Sequence, residues 1–81
     1  MREIGEELKK ARLSKRIRLK SISKKTKINP KILEALEAGE FQILPEPYIK
    51  AFIKTYAKEV GLDEKEILEK YESLRKGGQQ S

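Results

Sequence analysis

The sequence has no cysteine and no histidine. Without cysteine there is no disulfide and no thiolate metal site, and nothing points to an oxidising compartment. Without histidine the chain lacks the commonest general base and the commonest transition-metal ligand. No apolar run approaches the roughly 20 residues needed to cross a bilayer, and the first residues carry no signal-peptide stretch. The chain as it stands is expected to be soluble and intracellular. A glycine-rich phosphate loop, a carboxylate pair set for acid–base work and a Ser/Lys nucleophile pattern are also missing. Glu64, Glu66 and Glu69 read as an open helix surface, and Asp63–Lys65 lacks the spacing of a calcium loop. These residues predict no enzyme, no cofactor and no metal.

What is there is mostly charge. The 81 residues carry a net +6, and it is unevenly placed. Residues 1–31 hold twelve Lys/Arg against three acids, whereas residues 32–81 hold seven against ten. A basic first third suggests nucleic acid or an anionic membrane surface as a partner, with a merely well-solvated face as the plain alternative. A chain this short buries only about 60% of its unfolded surface and should build one modest core.

Breakers divide the chain into five helical stretches with no alternating strand pattern. The first runs from about Arg2 to Lys15, with Ile4, Leu8, Ala11 and the stem of Arg12 inward and Gly5 as a mild weakness. The second covers about Leu19 to Lys25, with Leu19 and Ile22 inward, small Ser23 allowing close approach, and a poor cap at Arg18. Asn29, Pro30 and Gly39 bound the third, whose stripe is Ile32, Leu33 and Leu36. A loop, EFQILPE, should tuck Phe41, Ile43 and Leu44 under the domain. Glu46 and Pro47 open a fourth helix that ends near Val60–Gly61. Asp63 and Glu66 then form a capping box for a fifth, with Ile67, Leu68, Tyr71 and Leu74 inward. The expected architecture is an all-α, compact five-helix domain over residues 1–76, followed by a flexible tail or linker stub at 77–81.

The second and third helices, joined through Thr26–Lys27–Ile28–Asn29, have the order of a helix-turn-helix. The stretch IGEELKKARLSKRIRLKSISKKTKINPKILEALEAGEF resembles the opening of Cro/repressor-type domains. A DNA-binding regulator is therefore one reading, with Lys20, Lys24, Lys25, Lys27, Asn29 and Lys31 as its contacts. The third helix argues against base readout. Lys31 shares its outward side with Glu34 and Glu37, Glu40 follows, and Pro30 takes an early position where a base-reading side chain would stand.

Three of the five aromatics stand in PYIKAFIKTY at four-residue spacing. On a helical wheel Ile49, Ile53, Tyr56 and Val60 set a core direction, with Tyr56 within about 30° of it, Phe52 about 70° away and Tyr48 about 110° away. Tyr56 is expected in the core, with its hydroxyl reaching solvent or a backbone carbonyl. Two readings of Phe52 stay open, a core-edge ring packing with Phe41 and an interface residue. Tyr48 is expected to be exposed as a contact anchor beside Phe52, with Ala51 and Thr55 permitting close approach. Lys50, Lys54 and Lys58 lie further round and read as a solvated face that an acidic partner would suit.

The fragment FQILPEPYIKAFIKTYAKEVGLDEKEILEKYE resembles the cytoplasmic helix-turn-helix domain of the RodZ family, the bacterial cell-shape proteins. Leu44–Pro45, Tyr48, Phe52, Tyr56–Ala57, Gly61–Leu62 and Asp63 carry the resemblance, which extends over about residues 2–75. It implies a protein-binding scaffold rather than a DNA reader. It also implies binding to the actin-like filament protein MreB through the aromatics at Tyr48 and Phe52, in support of sidewall elongation. By the same resemblance the chain is expected to be an excised domain, monomeric in isolation. In the longer protein it would lie in the cytoplasm at the inner face of the membrane, held there by a transmembrane segment that this chain does not contain.

Overall fold

The computed structural model describes the backbone of residues 2–79 and the side chains of residues 2–75. Five α-helices follow in order: α1 (Arg2–Ser14), α2 (Leu19–Thr26), α3 (Pro30–Ala38), α4 (Glu46–Glu59) and α5 (Glu64–Gln79). No strand occurs among the described residues, so the all-α reading holds. The helix α5 runs on through Gly77 and Gly78 to Gln79, into the segment expected as a tail. Residues 80 and 81 of that segment lie outside the described residues.

Local chemistry sets the helix ends. Asn29 accepts a hydrogen bond from the Lys31 N–H at 2.8 Å, and Pro30 occupies the first turn, where its missing N–H costs nothing. Gly39 closes α3 at φ 77, a left-handed conformation in which a Cβ would be strained. Asp63 accepts from the Glu66 N–H at 3.0 Å, half of the expected capping box. Arg18, as expected, makes no side-chain cap to α2.

The turn between α2 and α3 is held by side chains. Ser23 donates to the Ile28 carbonyl at 2.6 Å. Thr26 donates to the Ile22 carbonyl at 2.7 Å and accepts from the Ile28 N–H at 3.2 Å. These bonds hold Lys27 in the left-handed region at φ 67, a conformation that non-glycine residues adopt at a cost of roughly 1–2 kcal/mol.

One core joins all five helices. Ile4, Leu8, Ile22, Leu33, Leu36, Ile49, Ile53, Tyr56, Val60, Ile67 and Tyr71 are buried in it, with Phe41 from the α3–α4 loop. Phe41 sets its ring edge-on to Tyr71, centroids 5.6 Å apart and planes at 82°. Two expectations fail here. Ile43 is 45% exposed rather than tucked under. Gly5 is no mere weakness: a Cβ there would fall 2.4 Å from the Glu37 carbonyl oxygen and 2.6 Å from that of Leu36. The missing side chain is what lets α1 lie against the last turn of α3.

Candidate functional site

The helix α4 begins without a side-chain cap, at Pro45 and Glu46. Its first turn is tied down by charge instead. Arg75 of α5 pairs with the Glu46 carboxylate, and Lys50 lies 3.9 Å from Glu46 and 2.9 Å from Glu72. The Lys50 pKa is raised, chiefly by its hydrogen bond to Glu72. These contacts fix the side of α4 that faces α5. Lys50 is thereby engaged within the domain, while Lys54 and Lys58 stay exposed.

Exposure along the rest of the helix follows the wheel. Tyr56 is 0% exposed, Phe52 is half-buried against the core, and Tyr48 is 59% exposed. Ala51 beside them is exposed, and the half-buried Thr55 donates its hydroxyl to the Ala51 carbonyl at 3.0 Å. The hydroxyl of Thr55 is therefore satisfied internally, leaving its methyl and the Ala51 methyl as small neighbours of the rings. At the far end of the same helix, Glu59 pairs with Lys25 of α2 at 3.1 Å. Tyr48, Ala51, Phe52 and Thr55 thus share the outer surface of one helix. An open surface of this kind has the shape to meet a groove on another protein.

Tyr56 differs from expectation at its hydroxyl. It donates to the Glu37 carboxylate, not to water or a backbone carbonyl. The Arg12 Nε–H donates to the same carboxylate at 2.6 Å. Burial first, and then the bond and charge of Glu37, raise the pKa of Tyr56. Burial works against the charge on Arg12, but its hydrogen bond to Glu37 outweighs that, and its pKa is also raised. Glu37 must accordingly be removed from the outward face of α3, because its side chain is only 9% exposed.

That correction leaves Lys31 and Glu34 exposed on the outer side of α3, with Glu40 beyond. Lys20, Lys24, Lys25, Lys27, Asn29 and Lys31 are all exposed, as the DNA reading requires. Two of the six are already engaged. The Oδ1 of Asn29 caps α3, and Lys25 pairs with Glu59. The remaining lysines form a basic flank without a fork of donors suited to a base edge.

Sequence reasoning misplaced one exposed apolar residue, Ile43, and passed over another, Leu13. Ile43, one turn before Tyr48 in the chain, stands in a loop where no periodicity assigns a face. Leu13, 54% exposed, sits near the end of α1. The signal for Leu13 was present, since it falls on the same helix face as Glu6 and Lys10.

Over residues 7–67 the sequence matches the family described as "Helix-turn-helix domain". It is 44% identical over 71 residues, 86% of the chain, to the cytoskeleton protein RodZ of Streptococcus pneumoniae (strain ATCC BAA-255 / R6). It is 47% identical over 47 residues, 57% of the chain, to the uncharacterized membrane protein YmfM of Bacillus subtilis (strain 168). The matched segments make up 26% and 16% of those two proteins, so the chain spans only about a quarter of the first and a sixth of the second. No solved structure is significantly similar to the chain.

Proposed function

The chain belongs to this helix-turn-helix family, as a domain of the RodZ type, and from that premise we propose that it is a cytoskeletal adaptor module. In this reading it binds the bacterial actin-like protein MreB and links its filaments to the inner membrane, in support of cell shape and sidewall elongation. It performs no chemistry of its own. It works in the cytoplasm at the membrane's inner face, with attachment from a segment outside this chain; no helix among the described residues is long and apolar enough to span a bilayer. The domain itself is a monomer.

The observation that carries the reading is Tyr48, 59% exposed beside the half-buried Phe52 on a helix anchored at its start by Arg75 and Lys50. A large ring held on a rigid helix loses little conformational freedom on binding and buries much apolar area. Ala51 and Thr55 let a partner's surface approach both rings. The half-burial of Phe52 keeps both of its readings: it supports the core edge and still presents an edge to a partner.

Co-sedimentation with purified MreB filaments tests the proposal. The chain should pellet with filaments, and Tyr48→Ala or Phe52→Ala should weaken pelleting while circular dichroism stays helical. Unchanged pelleting of both variants would remove the site. A titration with random and selected DNA duplexes tests the competing regulator reading. The adaptor reading expects weak binding, a steep salt dependence from Lys20, Lys24, Lys27 and Lys31, and no sequence preference. A clear preference for one duplex sequence would favour the regulator.

A further inference from the structure

Away from the aromatic face of α4 lies a second surface of different chemistry. Between Glu7 and Glu34 the chain has no acidic residue. Of the cations in the first part of this stretch, Arg12 is turned inward to Glu37. Lys9, Lys10, Lys15, Arg16, Arg18 and Lys20 are exposed. Leu13 stands beside Lys9 and Lys10 at 54% exposure. It lies one helical turn beyond Lys9 and Lys10, and with Glu6 and Ser14 these residues border a shallow hollow on the outside of α1. Arg16, at φ 57, turns the chain back directly after it, its N–H donating to the Leu13 carbonyl at 3.0 Å. Glu6, on the rim of this hollow, stands 4.0 Å from Arg2, and Glu34 of α3 borders a second hollow with Lys9.

We infer that this α1–α2 corner is a docking face for an anionic phospholipid membrane, with Leu13 entering the boundary between headgroups and acyl chains and Lys9, Lys10, Arg16 and Arg18 meeting the lipid phosphates. An exposed leucine beside two lysines, three residues before the Arg16 turn, gains nothing from a solvated surface. It gains where an apolar phase lies directly beneath a layer of negative charge. A nucleic acid would satisfy the cations but leave Leu13 in water.

The placement of the corner fits a two-sided role. The Lys15 side chain lies over Gly61, where an added Cβ would come within 2.7 Å of its Cε and Nζ. The corner is therefore at the C-terminal end of α4, and Tyr48 is at the other end, about 17 Å away at 1.5 Å per residue. Contact with a membrane leaves the aromatic face open. The use of this face in linking filaments to the membrane rests on the adaptor reading, whereas the membrane binding itself does not.

Vesicle flotation of the 81-residue chain, without any filament protein, tests the inference. The chain should float with vesicles of equimolar phosphatidylglycerol and phosphatidylcholine, stay behind with pure phosphatidylcholine, and be released by salt. Leu13→Asn should lower partitioning by roughly fivefold to tenfold, and Lys10→Glu combined with Arg18→Glu should abolish it. The pair Lys24→Glu and Lys27→Glu at the far end of α2 should cause a clearly smaller loss, and Tyr48→Ala none. All these positions are exposed, and circular dichroism checks that each variant stays folded. No binding to the anionic vesicles overturns the inference. So does an unaffected Leu13→Asn, an equal loss from the α2 pair, or a DNA duplex that displaces bound vesicles while its own binding ignores Leu13→Asn. Failed flotation with Tyr48-dependent pelleting intact counts against this inference alone, and the reverse pattern counts against the adaptor reading alone.

Discussion

Arg12 grips Glu37 with one edge of its guanidinium, Nε at 2.6 Å from Oε2 and Nη2 at 3.4 Å from Oε1. Its third nitrogen, Nη1, donates to the Ile17 carbonyl at 2.9 Å. Arg12 thereby ties α1 to the start of the α1–α2 turn and to α3, and Tyr56 brings α4 to the same carboxylate. The planar fork of arginine suits this geometry, which a lysine would not reproduce.

Removing one partner should be costly. Arg12→Met leaves the largely buried Glu37 carboxylate with Tyr56 as its remaining donor, and the expected loss is about 3–5 kcal/mol. Pairing it with Glu37→Leu should recover most of that, since no charge is then left buried. Urea denaturation of the two single variants and the double variant gives the coupling. If Arg12→Met alone proves nearly neutral, the pair does not hold these helices together.

Tyr56→Phe keeps the ring and removes one donor, for an expected loss of about 1–2 kcal/mol. Alkaline pH supplies a second readout. The folded chain holds the Tyr56 proton more tightly than the ordinary value of 10.0. Its stabilising contribution is therefore complete below that pH and falls as pH rises through the folded-state value, because the unfolded chain ionises first. Tyr56→Phe should flatten this alkaline decline. Some slope should remain, since burial also raises the pKa of Tyr71. Thermal melts from neutral pH upward measure both.

Gly5→Ala separates local propensity from packing. In an isolated helix the change should stabilise by about 1 kcal/mol. In this fold the new methyl meets backbone carbonyls at 2.4 and 2.6 Å, and neither belongs to a side chain that can swing away. The variant should be destabilised by roughly 1–3 kcal/mol. A rise in the melting temperature would mean that α1 and α3 do not approach so closely.

Tyr48 and Phe52 should divide between binding and stability. Tyr48→Ala, at an exposed position, should alter folding stability by less than about 0.5 kcal/mol. Phe52→Ala removes a half-buried ring and should cost roughly 2 kcal/mol. If both are anchors, each should lower filament affinity by about 2 kcal/mol or more, a loss of some thirtyfold. Equal stability losses from the two variants would contradict the graded exposure along α4.

The helix boundaries were legible because their signals are short-range. Asn29 bonds two residues ahead, Asp63 three, and Gly39 supplies a conformation of its own. The ranking of the three aromatics on α4 was legible for a related reason: the apolar positions of one helix define its inner side, and Tyr56, Phe52 and Tyr48 then differ by angle alone. Ile43 escaped because a loop has no period from which to read a face.

Composition and periodicity by themselves determined an all-α domain, a basic first third, an apolar stripe on every helix and an aromatic surface on α4. Only the tertiary structure decided that Glu37 turns inward, that Gly5 is a contact point and that Ile43 stays exposed. A carboxylate on α3 looks solvated until Arg12, twenty-five residues earlier, and Tyr56, nineteen later, arrive beside it. Local rules act over about one helical turn, whereas partners that compensate a buried charge come from wherever packing brings the helices together.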